Sequence, residues 1–172
     1  MRLLKTWIGL ACALALTACG SEPVWQVKVA PGEGVLAVGL HTDRTLSDEL
    51  KGKPSNEIEL FYVGEGDYMS YKTLPVVQKD AVAVRSLAAK GYQLYKLKVG
   101  GRILNLEGGF EIKPDTVTYI GDLTIPGNPE KLEVPQVEDR YDAMRQTLVA
   151  KHGDLLKRFK LEKRLIVLRP AR

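Results

Sequence analysis

The chain has 172 residues, with 25 lysines and arginines against 21 aspartates and glutamates. A charge balance so close to neutral is not typical of nucleic-acid-binding proteins, so we expect no nucleic-acid partner. The length suits one domain with its own hydrophobic core.

The N-terminal residues have the layout of a secretory signal. Arg2 and Lys5 are basic, residues 7–16 are almost wholly apolar, and small residues follow. About ten apolar residues are too few for a helix to cross a bilayer, which takes roughly 20. The sequence therefore predicts a cleaved signal peptide over residues 1–18.

The end of this segment, Leu16-Thr17-Ala18-Cys19 followed by Gly20, resembles the lipobox of bacterial lipoproteins. The resemblance implies that Cys19 receives a diacylglycerol thioether and, after cleavage, an N-acyl chain such as palmitate. Two or three acyl chains hold a protein firmly to a membrane. Because Gly20 is not an aspartate, the resemblance also implies the outer membrane, facing the periplasm. The alternative is a chance cleavage site with a free cysteine.

The two cysteines are thereby accounted for. Cys12 lies in the predicted signal peptide and Cys19 would carry lipid. The mature chain, residues 19–172, is then left without a disulfide, a thiol nucleophile or a thiolate metal site.

Alternation of apolar and polar residues with period two predicts several strands. Four of them are centred on residues 25–29, 36–40, 58–62 and 95–99, and the clearest covers 116–125, where only Ile120 breaks the pattern. Gly100-Gly101 predicts a tight hairpin turn between 92–99 and 102–106, because glycine adopts the positive φ that such turns need. Residues 46–56 are expected to form an exposed loop.

The period changes after Pro135. Tyr141, Met144 and Leu148 recur at intervals of three and four, which predicts an amphipathic helix over 139–151 with an apolar stripe against the core. Gly153 is expected to end the helix, although 154–159 could form one more turn. Residues 164–168 are expected to form a closing strand.

A basic C-terminal tail follows the predicted helix. It is a candidate patch for an anionic partner, such as phospholipid head groups, lipopolysaccharide phosphates or an acidic protein. The alternative is an ordinary solvated charged surface. The seven cations are Lys157, Arg158, Lys160, Lys163, Arg164, Arg169 and Arg172.

Residues that could carry chemistry are few, and we assign no catalytic residue, metal ligand or cofactor. His41-Thr42-Asp43 contains half of a serine hydrolase triad, but no serine lies in a G-x-S-x-G elbow. Ser70-Tyr71-Lys72 lacks an oxyanion loop. His152 has no i, i+4 companion and is expected near the end of the helix. Glu138, Asp139 and Asp142 lack the spacing of a calcium loop.

These elements predict a mainly β fold, an antiparallel two-sheet β-sandwich with one late α-helix, or alternatively a barrel. The segment 110–123, in which a Pro-Asp turn leads into Val117-Thr118-Tyr119-Ile120-Gly121, resembles bacterial lipoproteins with immunoglobulin-like or prealbumin-like sandwiches. The resemblance implies a fold and an envelope location, and it implies no activity.

The sequence thus favours a lipid-anchored envelope lipoprotein of structural or binding type. Its expected partners are the membrane, through lipidated Cys19, and an envelope protein or anionic polymer. Two alternatives are a periplasmic inhibitor or immunity-type lipoprotein, and an enzyme whose site is assembled only in three dimensions. A deep pocket that gathers His41, Asp43 or Ser70 would favour the enzyme.

Overall fold

A computed structural model of the chain describes residues 27–43, 58–67, 70–75, 81–127 and 131–172. The predicted signal peptide, Cys19 and the predicted loop at 46–56 lie outside the described residues. In chain order, the described elements are β1 (Glu33–Thr42), β2 (Ile58–Gly64), β3 (Lys72–Pro75), β4 (Ala81–Ala88), β5 (Gly91–Val99), β6 (Arg102–Glu111), β7 (Thr116–Ile125), β8 (Gln136–Glu138), α1 (Tyr141–Arg158), β9 (Lys160–Lys163) and β10 (Arg169–Pro170).

The described strands form two separate five-stranded sheets, not a closed barrel. The first has the order β4-β1-β7-β8, with β9 also paired to β7, and the second has the order β10-β6-β5-β2-β3. The described part of the chain is therefore mainly β, with two sheets and one helix.

The prediction of wholly antiparallel sheets is wrong for the first sheet. β1 pairs with β7 in parallel, and so does β9. Alternation along a strand shows which residues share a face, but it does not show the direction of the neighbouring strand. Most strands of the second sheet lie between β1 and β7 in the chain. When β7 then joins the first sheet beside β1, the two central strands run in the same direction.

The first sheet is buried on both faces. Leu36, Val38 and Leu40 of β1 belong to a core cluster shared with the second sheet. Val35 and Ala37 alternate with them and pack in a second cluster with α1. This double burial explains why β1 is an almost continuous apolar run.

A bulge in β7 changes which face its residues occupy. Ala37 pairs with Tyr119 but Gly39 pairs with Asp122, so β7 contains one more residue than β1 over this stretch. Gly121 takes up the bulge with a φ of 115°, a backbone region that disfavours side chains. Val117 and Tyr119 consequently face α1, whereas Leu123 and Ile125 face the second sheet. The strand prediction over 116–125 is confirmed, but the single shared face is wrong.

The predicted hairpin is confirmed. β5 and β6 pair in antiparallel register on either side of the glycine pair, and Val99 lies opposite Arg102. Gly100 has a positive φ of 56° and Gly101 does not. One glycine therefore supplies the left-handed conformation of this turn.

The C-terminal predictions need two corrections. The helix covers Tyr141–Arg158 and continues through Gly153, with non-helical angles at His152 that mark a kink inside it. Residues 164–168 form no strand, since β9 precedes them and β10 follows. At the other end of the chain, residues 27–30 also form no strand. The apolar stripe is confirmed, because Met144 and Leu148 are buried against the first sheet.

Candidate functional site

Three polar side chains meet at the helix-facing surface of the first sheet. The Nε2 atom of His41 lies 2.8 Å from Oδ2 of Asp122, and the hydroxyl of Tyr119 lies 2.7 Å from Oδ1 of the same carboxylate. A carboxylate only accepts hydrogen bonds, so His41 donates from Nε2 and Tyr119 donates from its hydroxyl. We call these three residues the Asp122 network.

The fold assembles the Asp122 network from two strands. The bulge at Gly121 turns Asp122 to the side of Tyr119, and the parallel pairing of β1 with β7 brings His41 alongside. Gly39 leaves the space that the carboxylate needs, because a Cβ at this position would overlap the carboxylate of Asp122. The network is nearly enclosed, since the side chains of His41 and Asp122 are only 13% and 9% exposed.

Tyr119 is held in its neutral form. Burial raises the pKa of Tyr119, and the hydrogen bond that it donates to Asp122 raises this pKa further. Its hydroxyl also accepts the backbone N–H of Arg140 at 3.0 Å. A neutral, hydrogen-bonded phenol is a poor nucleophile and a poor base. We therefore assign the network a structural role, in which its hydrogen bonds connect β1, β7 and the start of α1.

The sequence neighbours of His41 do not form a triad with it. The carboxylate of Asp43 instead accepts the backbone N–H of Gly127, and its own N–H donates to the carbonyl of Ile125. Ser70 is exposed beyond the turn after β2, where its N–H donates to the carbonyl of Asp67.

The sequence contains one signal of the Asp122 network. An Asp inside an otherwise apolar strand needs a buried partner. That partner is His41, and the sequence does not identify it because it does not specify the pairing of β1 with β7.

A cleft of about 770 Å³ crosses one end of the second sheet. Its lining includes Glu65, Gln93, Gly109 and Glu111, and Arg164 bounds it from the segment that follows β9. Arg164 lies 3.4 Å from Glu111 across this boundary. The cleft offers carboxylates, an amide and a guanidinium, but its lining does not include His41, Asp43 or Ser70.

The outward side of the second sheet carries an aromatic cluster. Phe61 lies 5.7 Å from Tyr71 and 6.3 Å from Tyr95, measured between ring centroids. The ammonium of Lys96 lies 4.1 Å from the centroid of Phe61 and 5.6 Å from those of the two tyrosines. Tyr71 is 62% exposed. Gln93 is exposed and Tyr95 and Lys96 are partly exposed, whereas Phe61 is buried beneath them at 8% exposure. We call this cluster, together with Gln93 of β5, the open face.

Two of the seven cations of the predicted basic tail lie in α1, two in β9 and one in β10, whereas Arg164 follows β9 and Arg172 follows β10. Several of them have acidic partners: Lys157 pairs with Asp154, Lys160 with Glu162, and Lys163 with Asp139. Arg158 and Phe159 are in contact, with the guanidinium 5.2 Å from the ring centroid. Arg169 lies in β10 and Arg172 is exposed at the C-terminus.

The acidic residues before α1 are likewise engaged with cations. Glu138 lies 2.6 Å from Arg140, and Asp139 lies 2.7 Å from Lys163 while also accepting the N–H of Tyr141. The pairing with Lys163 lowers the pKa of Asp139. Across the described ranges, no group of three or more histidine, cysteine or acidic side chains is placed to hold a metal ion.

Within the described part of the chain, no helix is both long enough and apolar enough to cross a membrane. Comparisons with known protein families, curated proteins and solved structures found no match to this chain.

Proposed function

We propose that this protein is a lipid-anchored lipoprotein of the bacterial envelope that binds a partner through the open face of its second sheet. Residues 1–18 act as the signal peptide, and Cys19 carries the lipid in the outer membrane, facing the periplasm. The partner is an envelope protein or an anionic polymer. The domain is a β-sandwich related to the immunoglobulin-like or prealbumin-like type, and a core shared by two sheets supports this assignment.

The observation that carries the proposal is the contrast between the two sheets. α1 packs on the outward side of the first sheet, whereas the second sheet exposes Tyr71 beside Phe61, Tyr95 and Lys96. Aromatic side chains with an adjacent cation are typical of binding surfaces, since they offer a large contact area and little conformational entropy to lose. His41 and Asp122 bond each other on the side of the first sheet that faces α1, away from the open face.

Charge on the open face is compatible with an anionic partner. Lys98, in the same strand as Lys96, pairs with Glu59 at 3.2 Å. Lys96 instead lies over aromatic rings, where the attraction to a ring face is weaker than to a carboxylate. Lys96 forms no ion pair with another described residue, so its ammonium can contact an anionic partner without breaking such a pair.

Site-specific photo-crosslinking in cells tests the binding face. A photoreactive residue replaces Gln93 on the open face or, as the control, Gln146 on the exposed side of α1. We expect Gln93 to capture a partner and Gln146 not to, and we expect Tyr71→Ala combined with Lys96→Ala to abolish the capture. Capture from α1 but not from the open face would overturn the proposal. Protease or glycosidase treatment of the captured species then separates a protein partner from a polymer.

Metabolic labelling with a clickable fatty acid tests the anchor separately. Label should appear on the native protein, disappear in Cys19→Ala, and move with the outer membrane on fractionation. Label that persists in Cys19→Ala would contradict the assignment of this cysteine.

A further inference from the structure

The chain enters the fold beside the second half of α1. Val27 and Val29 border a cleft of about 580 Å³ whose other wall is the helix on either side of the kink at His152. Val29 packs against the cluster that α1 forms with the first sheet. We call this cleft the entry cleft. Its lining residues are Val27, Lys28, Val29, Ala150, Lys151, His152, Gly153, Asp154, Leu155, Lys157 and Arg158.

The entry cleft is rich in positive charge. Four of its lining side chains are cations, Lys28, Lys151, Lys157 and Arg158, against the single carboxylate of Asp154. Lys157 lies 2.8 Å from Asp154, but both side chains are largely exposed, at 78% and 94%. Exposed ion pairs of this kind are weak and easily exchanged, so Lys157 can turn to another anion.

The position of Cys19 limits how far this charge can lie from a membrane. Val27 is the eighth residue after Cys19. A fully extended chain advances about 3.5 Å per residue, so the two Cα atoms are at most about 28 Å apart. Lipid on Cys19 would therefore hold the entry cleft close to the head groups. Basic residues near a lipid anchor act as a second membrane signal, because anionic lipids attract them.

We propose that the entry cleft is the membrane-facing surface of the protein and binds the phosphate groups of anionic phospholipids. This inference rests on the proposed lipidation of Cys19. α1 and the second sheet lie on opposite sides of the first sheet, so this docking directs the open face away from the bilayer, toward the periplasm. Of the seven cations in the C-terminal stretch, Lys157 and Arg158 face the membrane.

Fluorescence quenching on vesicles tests the orientation. The lipidated protein carries a label on Ala150→Cys in the entry cleft or, as the control, on Gln93→Cys on the open face. It is reconstituted in phosphatidylcholine vesicles with or without phosphatidylglycerol, and a head-group nitroxide lipid serves as quencher. We expect the label at position 150 to be quenched in the anionic vesicles, with less quenching at high salt, and the label at 93 to stay bright. Equal quenching at both positions would overturn the inference.

Charge reversal locates the contact. Lys157→Glu combined with Arg158→Glu should reduce the quenching of the label at position 150. Each lost cation lowers the binding constant for the anionic membrane surface about fivefold. Arg145→Glu combined with Arg172→Glu changes the net charge equally, outside the cleft, and should leave quenching intact. Loss of quenching in this control alone would place the contact elsewhere and contradict the inference.

Flotation with neutral vesicles separates this inference from the proposed function. Protein that floats with neutral vesicles is anchored, whatever the quenching result. Flotation without quenching at position 150 in anionic vesicles overturns only the membrane-facing cleft, whereas failure to float overturns the lipid anchor.

Discussion

His41 and Asp122 lie 81 residues apart in sequence and meet at 2.8 Å across the parallel pair β1 and β7. Tyr119 bonds the other oxygen of the same carboxylate, so one buried side chain satisfies two donors. Removing this shared acceptor should have a larger effect than removing an exposed carboxylate.

Asp122→Ala should lower the free energy of unfolding by about 2 to 4 kcal/mol, because the donors of His41 and Tyr119 lose their acceptor away from water. Asp122→Asn retains one acceptor and should cost less. Urea denaturation measures both. The control is Asp142→Ala on the exposed side of α1, which should cost under about 1 kcal/mol. Equal effects of Asp122→Ala and the control would contradict a stabilising role for the network.

Gly39→Ala should be destabilising by about 1 to 3 kcal/mol, because the new Cβ overlaps the carboxylate of Asp122. Gly101→Ala is the matched control, since a Cβ there meets nothing within 4 Å. If the overlap is the cause, Gly39→Ala should cost much less in the Asp122→Ala background. Additive effects of the two substitutions would show that the cost arises elsewhere.

Thr118→Val should raise the free energy of unfolding by about 1 kcal/mol. The hydroxyl of Thr118 is buried and makes no hydrogen bond within the described part of the chain, and valine fills the same space without a polar group. Thr147→Val is the comparison, because the hydroxyl of Thr147 donates to the carbonyl of Ala143 and should give no gain. A loss of stability in Thr118→Val would indicate that this hydroxyl has a partner.

Stability should fall steeply with rising pH above about pH 10. Burial raises the pKa of Tyr92 to about 12 and also raises the pKa of Tyr119. Tyrosines in the unfolded chain ionise near pH 10. Folding favours the neutral form of these two tyrosines. Their contribution to the free energy of unfolding is therefore complete below pH 10, and it is lost as the pH rises toward the pKa that each tyrosine has in the folded protein. Each such tyrosine adds up to about 1.4 kcal/mol per pH unit to the slope.

Urea titrations at increasing pH measure this slope, and Tyr92→Phe should flatten it. Tyr71, which is exposed, supplies the control Tyr71→Phe, and this change should leave the slope unaltered. A flat profile through pH 11 in the native protein would contradict the prediction.

Gly153→Ala should stabilise the protein by about 0.5 to 1 kcal/mol. Gly153 has helical angles inside α1, and a Cβ there meets nothing within 4 Å, so alanine gains helix propensity without a clash. Gly32→Ala is the matched contrast, because its Cβ also meets open space but its φ is 82°. Gly32→Ala should therefore be destabilising. Thermal unfolding checks both variants, with Tm expected to rise in Gly153→Ala and to fall in Gly32→Ala.

The sequence was most informative where a pattern is local. Alternation predicted the strands at 36–40, 58–62, 95–99 and 116–125, and Gly100-Gly101 predicted the hairpin. The intervals of Tyr141, Met144 and Leu148 predicted the buried stripe of the helix. The end of the helix was misplaced because a glycine can continue a helix whose neighbours pack well, as Leu155 does beyond the kink.

The parts that sequence reasoning missed depend on distant contacts. β4 has an apolar sequence with weak alternation, and its eight residues become a strand because β1 pairs along them. The open face combines Phe61 of β2 with Tyr95 and Lys96 of β5 and with Tyr71 ahead of β3. Such a cluster appears only when strand order and register are known.

By itself, the sequence determined a predominantly β architecture, a late helix with one apolar stripe, and a lipobox-like Leu16-Thr17-Ala18-Cys19 that motivates the proposed anchor. Side-chain periodicity and short motifs suffice for these features, because they depend on residues close together in the chain. Only the tertiary structure decided the parallel pairing of β1 with β7, the meeting of His41 with Asp122, and the position of Val29 beside the basic half of α1. These depend on which distant segments bury one another's apolar faces, and one strand's sequence does not name its neighbour.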